Sequence, residues 1–370
     1  MSNNLIYITY QTFPAETANS LQTVSNIKYF LNNGLNVRLI FPLRDSSSSD
    51  SLDIINDYYG MNLKFSINGT AHNYPFGKNN SLNRIKYLIS HFLWAKKTVK
   101  KLVKAFDVND YCFTRSDWVF YFLSKHKIPV TFECHQYTKL RKVLIYLSLK
   151  SQNSKIVFLN HLLLSDYLKK YKLDKNYSVN HNGVDLSLFK KTSKKAGQII
   201  FVGRLKRFGK SRNLEFLLRS FDQLNKDYSL KIIGATEEEL LELNKNIKEL
   251  KSRKRIEILP RMNHENISKY LSESEIGILI NSNKDTHSKK YTSPLKYFEY
   301  LAGDLKIVAT DCEAHKALPF ANNISFFSLN DEKSFIEAIK KSTKMSILSE
   351  KDKIDISLDK RVKNIISFIN

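Results

Sequence analysis

Short apolar runs alternate with amphipathic segments along most of the chain. In the first half, six such runs predict β-strands, at residues 5–10, 36–42, 110–115, 129–135, 155–160 and 177–183. From residue 198 the pattern restarts, and the runs QIIFVG, SLKIIG, RIEILP, IGILIN and KIVATD predict further strands with helices between them. Strands that alternate with helices of this length are typical of a parallel sheet covered on both faces.

Two such series predict an α/β protein with two doubly wound, Rossmann-like domains that face a central cleft. The charged segment LFKKTSKKAG separates the series, so we expect an N-terminal domain at 1–189 and a C-terminal domain at 196–355. The length of 370 residues suits two domains of this size. Ligands of such sheets bind at the carboxyl ends of the strands, so the residues that follow each strand are candidates for chemistry.

The net charge indicates which classes of partner to expect, and the cysteine content indicates the compartment. A net charge of +23 favours a polyanionic partner, such as nucleic acid, an anionic membrane or a phosphorylated substrate. The three cysteines show no metal-binding spacing and cannot all pair, which is typical of a reducing cytoplasm. The N-terminus shows no signal segment and no apolar run approaches 18 residues, so we expect a soluble or peripheral intracellular protein.

The segment TSPLKYFEYLAG predicts a helix over residues 292–303 with an exposed N-terminus. A Thr or Ser such as Ser293 can cap a helix, Pro294 suits a first turn, and Gly303 can end the helix. The free N–H groups at such an N-terminus bind anions. The same residues also fit an ordinary capped helix with one surface carboxylate, Glu299.

The loop FVGRLKRFGK follows the first strand of the second domain and is strongly basic. Gly203 allows a tight turn, and Arg204 and Lys210 can converge on one anion. A solvated basic loop is the alternative. Because the helix start at 292–296 follows a later strand of the same sheet, two anion sites at one edge favour a diphosphate ligand.

Two segments of the first half, 84–104 and 139–155, contain many basic residues and no acidic one. On a helical wheel, one apolar face of the first segment comprises Ile85, Leu88, Ile89, Phe92, Val99 and Val103. Lysines gather on the other side, with Leu93 among them and Trp94 at their edge. This mixture suits an anionic membrane surface, although a core-packed helix with a solvated basic face would show the same pattern.

Several motifs together resemble one family of enzymes. The order FVGR…K, KIIG and SPLKYFEYLAGDLKIVATD resembles the C-terminal domain of retaining family 4 glycosyltransferases, which have the GT-B fold. NHNGVDLSLF resembles a signature at the end of that family's N-terminal domain. YCFTRS, VTFECH and FPAETANSLQTVSNIKYFLNNG resemble segments of a bacterial surface-polysaccharide branch. LDKRVKNIISFIN resembles the final helix, here within 356–370, that crosses back onto the first domain.

The resemblance implies an activity. It is retaining transfer of a sugar from a UDP- or GDP-sugar donor to a saccharide or lipid-linked acceptor, in the synthesis of capsule, O-antigen or lipopolysaccharide. The enzyme would lie in the cytoplasm, peripheral at the inner face of the membrane. Two alternatives remain: a sugar-nucleotide epimerase of the same GT-B fold, and a basic nucleic-acid-binding protein. For the latter the sequence shows no recognisable nucleic-acid module, so we expect no nucleic-acid partner.

The resemblance also implies a donor site in the second domain. Arg204 and Lys210 would hold the diphosphate, Glu299 would bind the ribose hydroxyls, and the loop at 260–262 would lie near the base. The family commonly has two glutamates eight positions apart, and Tyr291 occupies the place of the first. The implied donor-binding residues are Gly203, Arg261, Met262, Tyr291, Ser293, Pro294, Leu295, Lys296 and Glu299.

On the acceptor side, the resemblance implies that His135 faces the transferred sugar. The weaker candidates are Arg115 and a helix start at Ala18, Asn19 and Ser20. We expect Glu133 to point away from His135, which leaves no carboxylate in these motifs as a nucleophile. Front-face attack, in which the departing diphosphate takes the acceptor's proton, is therefore favoured. No pair of aspartates follows a strand, so we expect no metal or other cofactor.

Overall fold

The computed structural model of the chain describes residues 3–44, 47–72, 81–169, 176–207, 210–211, 213–282 and 285–370. The chain divides into two compact units, here called the first unit (Met1–Asn180 with Arg361–Asn370) and the second unit (His181–Lys360). This division assigns residues 181–189 to the second unit, whereas the sequence pattern places them in the first domain. The reason is a bridge between Val184 and Ser357, both of which lie in the second unit.

The first unit contains a seven-stranded sheet in which all the strands are parallel. Its strands are β1 (Asn4–Ile8), β2 (Asn36–Leu43), β3 (Ser66–Ala71), β4 (Asp110–Thr114), β5 (Val130–Cys134), β6 (Ser154–Phe158) and β7 (Tyr177–Val179). The spatial order is β3-β2-β1-β4-β5-β6-β7. The order reverses between β1 and β4, and this is the place where ligands of doubly wound sheets bind.

The second unit contains a six-stranded parallel sheet and a short antiparallel hairpin. The sheet strands are β8 (Lys195–Val202), β11 (Ser229–Ala235), β12 (Ile256–Pro260), β13 (Ser274–Leu279), β14 (Lys306–Thr310) and β15 (Ile324–Phe327), in the order β12-β11-β8-β13-β14-β15. The hairpin joins β9 (Lys206–Arg207) to β10 (Lys210–Ser211). Every predicted strand is present, which confirms the two parallel-sheet domains.

Helices connect the strands of both sheets. In the first unit they are α1 (Ala18–Asn32), α2 (Leu52–Tyr59), α3 (Ser81–Lys104), α4 (Asp117–Lys125), α5 (Lys139–Ser148) and α6 (His161–Leu168). In the second they are α7 (Leu214–Asp222), α8 (Glu237–Asn246), α9 (His264–Glu273), α10 (Leu295–Ala302), α11 (Glu313–Lys316), α12 (Glu332–Ser342) and α13 (Glu350–Asp355). The last helix, α14 (Leu358–Ile369), ends in the first unit. Among the described helices, none has the length and apolarity needed to cross a bilayer.

The start of α10 differs from the prediction. The helix begins at Leu295, and its N-cap is Pro294, which has no side chain able to accept a hydrogen bond. A residue before proline is disfavoured from helical backbone angles, so Ser293 cannot occupy the first turn. A single π-helical turn, His287–Tyr291, precedes this extended stretch. Gly303 ends the helix as predicted.

Candidate functional site

The carboxyl ends of β8, β11 and β12 meet in the second unit. The Gly203 N–H donates to the Ile233 carbonyl at 3.0 Å, and the Arg261 N–H donates to the Ala235 carbonyl at 3.2 Å. Gly234 has a φ of 122°, and a Cβ there would lie 2.3 Å from the Gly203 carbonyl oxygen. Only glycine permits this approach, so the turn after β8 is held against the end of β11.

Arg204 follows this turn and its side chain is exposed. The backbone of Lys210 belongs to the hairpin, where it pairs with Arg207, so the predicted basic loop is folded back on itself. The side chain of Lys210 lies outside the described residues, and its predicted contact with a phosphate stays a prediction. The neighbouring Lys206 is paired with Glu242 at 2.6 Å.

The stretch before α10 presents backbone and hydroxyl groups at the same end of the second sheet. The Asn182 side-chain amide donates to the Ser293 carbonyl at 2.6 Å and fixes this turn. The Ser293 hydroxyl is buried and has no hydrogen-bond partner among the described residues. A buried hydroxyl without a partner is unfavourable, and an anion at the α10 N-terminus would relieve that cost.

Glu299 lies one turn into α10 and is buried, with 6% of its surface exposed. Its Oε2 atom is 2.6 Å from the Lys296 ammonium, and its Oε1 atom is 4.0 Å from His264 Nδ1. Although burial raises the pKa of Glu299, the charge of Lys296 and the proximity of His264 bring it below its ordinary value. The carboxylate is therefore ionised at neutral pH and retains Oε1 as an acceptor.

Two tyrosines of helix α10 form hydrogen bonds with the groups around the helix. The Val202 N–H donates to the Tyr300 hydroxyl at 3.2 Å, and that hydroxyl donates to the Ile278 carbonyl at 3.3 Å. The Tyr297 hydroxyl donates to the Pro319 carbonyl at 2.6 Å. The remaining predicted donor residues differ in exposure: Arg261 exposed, Met262 and Leu295 half-buried, and Tyr291 buried.

In the first unit, His135 follows β5 and both of its ring nitrogens are engaged. Nε2 contacts the Glu133 carboxylate, and Nδ1 lies 3.0 Å from Arg115 Nη2. The expectation that Glu133 points away was wrong, since residues two apart on a strand face the same side. Burial, together with the Arg115 charge, lowers the pKa of His135 to about 4. The ring is neutral, with its proton on Nε2.

Two further side chains complete this cluster. Arg115 Nη1 donates to the Gln22 side-chain oxygen at 3.0 Å. Arg361 Nη2, from α14, lies 3.1 Å from Glu133 Oε2. Sequence reasoning assigned no role to Gln22 or Arg361. The strand alternation could have revealed the partnership of Glu133 with His135, but no local signal indicates a contact between residues so far apart in the chain.

Of the two candidate residues at the start of α1, Asn19 and Ser20, the second has a structural role. Helix α1 begins at Ala18, as predicted, after the N-cap Thr17. The Ser20 hydroxyl lies 2.8 Å from the Thr17 hydroxyl and donates to the Thr12 carbonyl at 3.3 Å. The Asn19 side-chain oxygen is buried without a hydrogen-bond partner among the described residues, so it remains an acceptor-side candidate.

Helices α3 and α5 both pack against α4 and expose apolar side chains on the first unit. These are Ile85, Leu88, Ile89 and Leu93 on α3, and Leu140, Val143, Tyr146 and Leu147 on α5. We call them the apolar ridge. Three residues of the apolar face on the helical wheel, Ile85, Leu88 and Ile89, belong to this ridge. The expectation that Trp94 lies at the edge of the lysines was wrong, because Trp94 is buried and donates to the Thr70 hydroxyl at 2.7 Å. Ser90 and His91 turn inward instead, where they hydrogen-bond to Tyr10 and Ser116.

In the part of the chain that the structure describes, no group of three or more His, Cys, Asp or Glu residues could hold a metal ion.

Comparison with protein families places this geometry in context. The family model of glycosyl transferases of group 1 matches residues 196–344. The match covers most of the second unit, which is therefore similar to a group 1 glycosyl transferase domain. No curated protein is similar enough to the chain to be a recognisable relative.

Solved structures resemble the chain over nearly its whole length. A glycosyltransferase from Rickettsia africae ESF-5 has a TM-score of 0.71 at 14% identity, over 100% of this chain and 98% of that one. HepE of Anabaena in complex with UDP has a TM-score of 0.69 at 10% identity, over 98% of both chains. The lipopolysaccharide outer core galactosyltransferase WaaB in its apo form has a TM-score of 0.65 at 11% identity, over 99% of both. These likenesses establish the GT-B fold.

Proposed function

We propose that this protein is a retaining glycosyltransferase of family 4. It moves a sugar from a UDP- or GDP-sugar to a saccharide or lipid-linked acceptor during synthesis of a cell-surface polysaccharide. The observation that supports this most strongly is the α10 N-terminus, where an unpartnered buried hydroxyl and an ionised carboxylate lie inside the matched family domain. HepE is also known in complex with UDP-glucose, which is consistent with a nucleotide-sugar donor.

In the proposed donor complex, each group has a separate task. The diphosphate binds Arg204, Lys210 and the N–H groups at the start of α10, where the Ser293 hydroxyl donates to a phosphate oxygen. Glu299 Oε1 accepts hydrogen bonds from the ribose. Residues Arg261 and Met262 lie beside the base. The first unit contributes the acceptor side, with His135 and Arg115.

The transfer step needs no protein nucleophile. The bond between the anomeric carbon and the diphosphate oxygen breaks while the acceptor hydroxyl forms a new bond on the same face. The acceptor proton passes to the departing phosphate oxygen, because His135 has no nitrogen left to receive it. Arg204 and Lys210 stabilise the charge that grows on the diphosphate, and we propose that they do so in place of a metal ion.

The decisive experiment is product analysis with the purified full-length protein. A panel of UDP- and GDP-sugars with a labelled sugar is incubated with lipid-linked and free saccharide acceptors, and the products are separated by mass. Release of nucleoside diphosphate with transfer of label is expected. Conversion of the donor into an isomeric nucleotide sugar would instead identify an epimerase, and an unchanged panel with tight nucleic-acid binding would contradict both.

We also propose that the apolar ridge contacts the anionic inner face of the cytoplasmic membrane. Exposed lysines accompany the ridge on α3, at positions 86, 96, 97, 100, 101 and 104. Apolar side chains among cations suit the boundary between acyl chains and anionic headgroups. Each cation near such a surface contributes about 1 kcal/mol, and salt screens it. A lipid-linked acceptor would lie at the same surface.

Vesicle sedimentation tests this surface. Replacement of Lys97, Lys100 and Lys104 by Glu should abolish sedimentation with vesicles that contain anionic lipid. The same change at Lys340, Lys341 and Lys344, exposed on or just beyond α12, is the matched control and should retain sedimentation. Equal binding of the wild type to neutral and anionic vesicles would contradict the proposal.

A further inference from the structure

Four ionisable side chains meet inside the first unit. They come from the ends of two strands and from the last helix: Arg115 after β4, Glu133 and His135 at the end of β5, and Arg361 on α14. Glu133 and Arg361 expose 1% and 3% of their surface. Such burial of charge is unusual and requires that each charge be compensated by a partner.

The contacts form one chain from α14 to the histidine ring. Arg361 Nη1 donates to Asn26 Oδ1 at 3.2 Å, and Arg361 Nη2 lies 3.1 Å from Glu133 Oε2. The other carboxylate oxygen, Oε1, contacts His135 Nε2. On the far side of the ring, Nδ1 is 3.0 Å from Arg115 Nη2. An arginine can only donate, so Nδ1 is the acceptor and the ring proton is on Nε2.

The balance of charge depends on Arg361. With the ring neutral, the cluster holds one carboxylate and two guanidinium groups. A proton on His135 would add a second excess positive charge in a buried place. Without Arg361, the carboxylate would face Arg115 and the ring alone, and a proton on the ring would then be less unfavourable, although burial and Arg115 still oppose it.

We propose that Arg361 is a positioning residue for the proposed transfer: it balances Glu133, which thereby holds His135 as a neutral ring of fixed tautomer and orientation. The effect of Arg361 on the transfer rate rests on the proposed function. Its effect on the protonation of His135 does not depend on that function. A buried ion pair with a purely structural role could be replaced by apolar residues at little cost. Apolar residues could not replace this pair in setting the protonation state and tautomer of His135.

The state of His135 can be measured directly. Histidine ring NMR of the full-length wild type, with the His135 signals assigned by their absence in His135→Gln, should show the Nε2–H tautomer and no titration between pH 8 and 5.5. A wild-type ring that titrates near its ordinary pKa, or carries its proton on Nδ1, would overturn the proposal without any variant of Arg361.

The variants then isolate Arg361. Arg361→Met should raise the pKa of His135, so that more of the ring is protonated at pH 6 and the transfer rate of the variant falls between pH 8 and pH 6, whereas the wild-type ring stays neutral over this range. Arg361→Lys keeps the charge and should restore most of the neutral state. Lys363→Met removes one exposed charge from the same helix and is the matched control.

The outcomes separate this proposal from the proposed function. If Arg361→Met folds and His135 titrates as in the wild type, Arg361 has only a structural role and the proposal fails. If the ring titration moves as expected but no sugar is transferred by any form, the electrostatic inference stands and the proposed function fails. Nucleoside diphosphate binding, which involves the second unit, should be unchanged in Arg361→Met.

Discussion

The two units use charge in opposite ways at the carboxyl ends of their sheets. In the first unit, Arg115, Glu133, His135 and Arg361 lie in contact with one another inside the protein. In the second unit, Arg204 is exposed and the Ser293 hydroxyl is buried without a partner among the described residues. A preassembled cluster suits a fixed environment for a reacting group. An incomplete one suits a ligand that brings the missing charge.

The largest expected effect comes from the incomplete site. Arg204→Ala should lower the transfer rate roughly a hundred- to a thousandfold, because the lost cation stabilises charge that appears only as the diphosphate departs. Steady-state kinetics should show the loss in kcat more than in KM.

The adjacent basic residue offers a matched control. Lys206 is exposed and paired with Glu242, so Lys206→Ala should leave the rate nearly unchanged. Equal losses in the two variants would mean that the loop acts through its overall charge. Activity that disappears with EDTA and returns with magnesium would show that a metal neutralises the phosphates.

The second effect concerns ground-state binding. Glu299→Gln keeps the shape of the side chain but removes the charge, and charged hydrogen bonds contribute ~1.5–3 kcal/mol each. Binding of UDP or GDP should weaken by about one to two orders of magnitude in calorimetry. Glu265→Gln, at an exposed position on α9, should bind as the wild type does. Unaltered binding by Glu299→Gln would remove Glu299 as the ribose ligand.

The sequence predicted the alternation of strands and helices because most of the buried strands are rich in apolar residues. It missed β3 and β15, of which β3 (SINGTA) is polar and lies at the sheet edge. For the candidate donor site, local motifs indicated Arg204, Ser293 and Glu299, whose binding roles stay predictions. They could not locate Arg361, since its contact with Glu133 depends on how the last helix packs. They misplaced Trp94 because the polar residues next to it on α3 turn inward, whereas a helical wheel assigns polar residues to the solvent side.

The third effect is a difference in acid stability between the units. In the first unit His72, His91 and His135 are buried and their pKa values are lowered to about 4, whereas in the described part of the second unit only His315 is buried with a value of about 4. A lowered pKa means that the unfolded state takes up the proton first, so stability is lost as pH falls from about 7 towards 4. Each such histidine should cost about 2 kcal/mol between pH 8 and pH 5, which makes the first unit the more acid-sensitive.

Both tryptophans, Trp94 and Trp118, lie in the first unit, so their fluorescence reports on that unit alone. In urea at pH 8, the fluorescence and circular dichroism transitions should be close together. At pH 5 the fluorescence midpoint should fall to a lower urea concentration than the dichroism midpoint. His91→Gln should reduce this pH dependence, and coincident transitions at pH 5 would contradict the difference between the units.

The smallest effect tests why the second site is left incomplete. In the ligand-free protein, Ser293→Ala removes a buried hydroxyl that has no partner among the described residues, so the free energy of unfolding should stay the same or rise slightly. With UDP or GDP present, the hydroxyl would donate to a phosphate oxygen, and its loss should weaken binding by roughly 0.5–1.5 kcal/mol, a few- to about tenfold. Urea unfolding without ligand and calorimetry with ligand measure the two effects. The opposite signs are essential, because a purely structural hydroxyl would lower stability when removed and leave nucleotide binding unchanged. That result would mean that the α10 N-terminus is an ordinary helix start and that the diphosphate binds elsewhere.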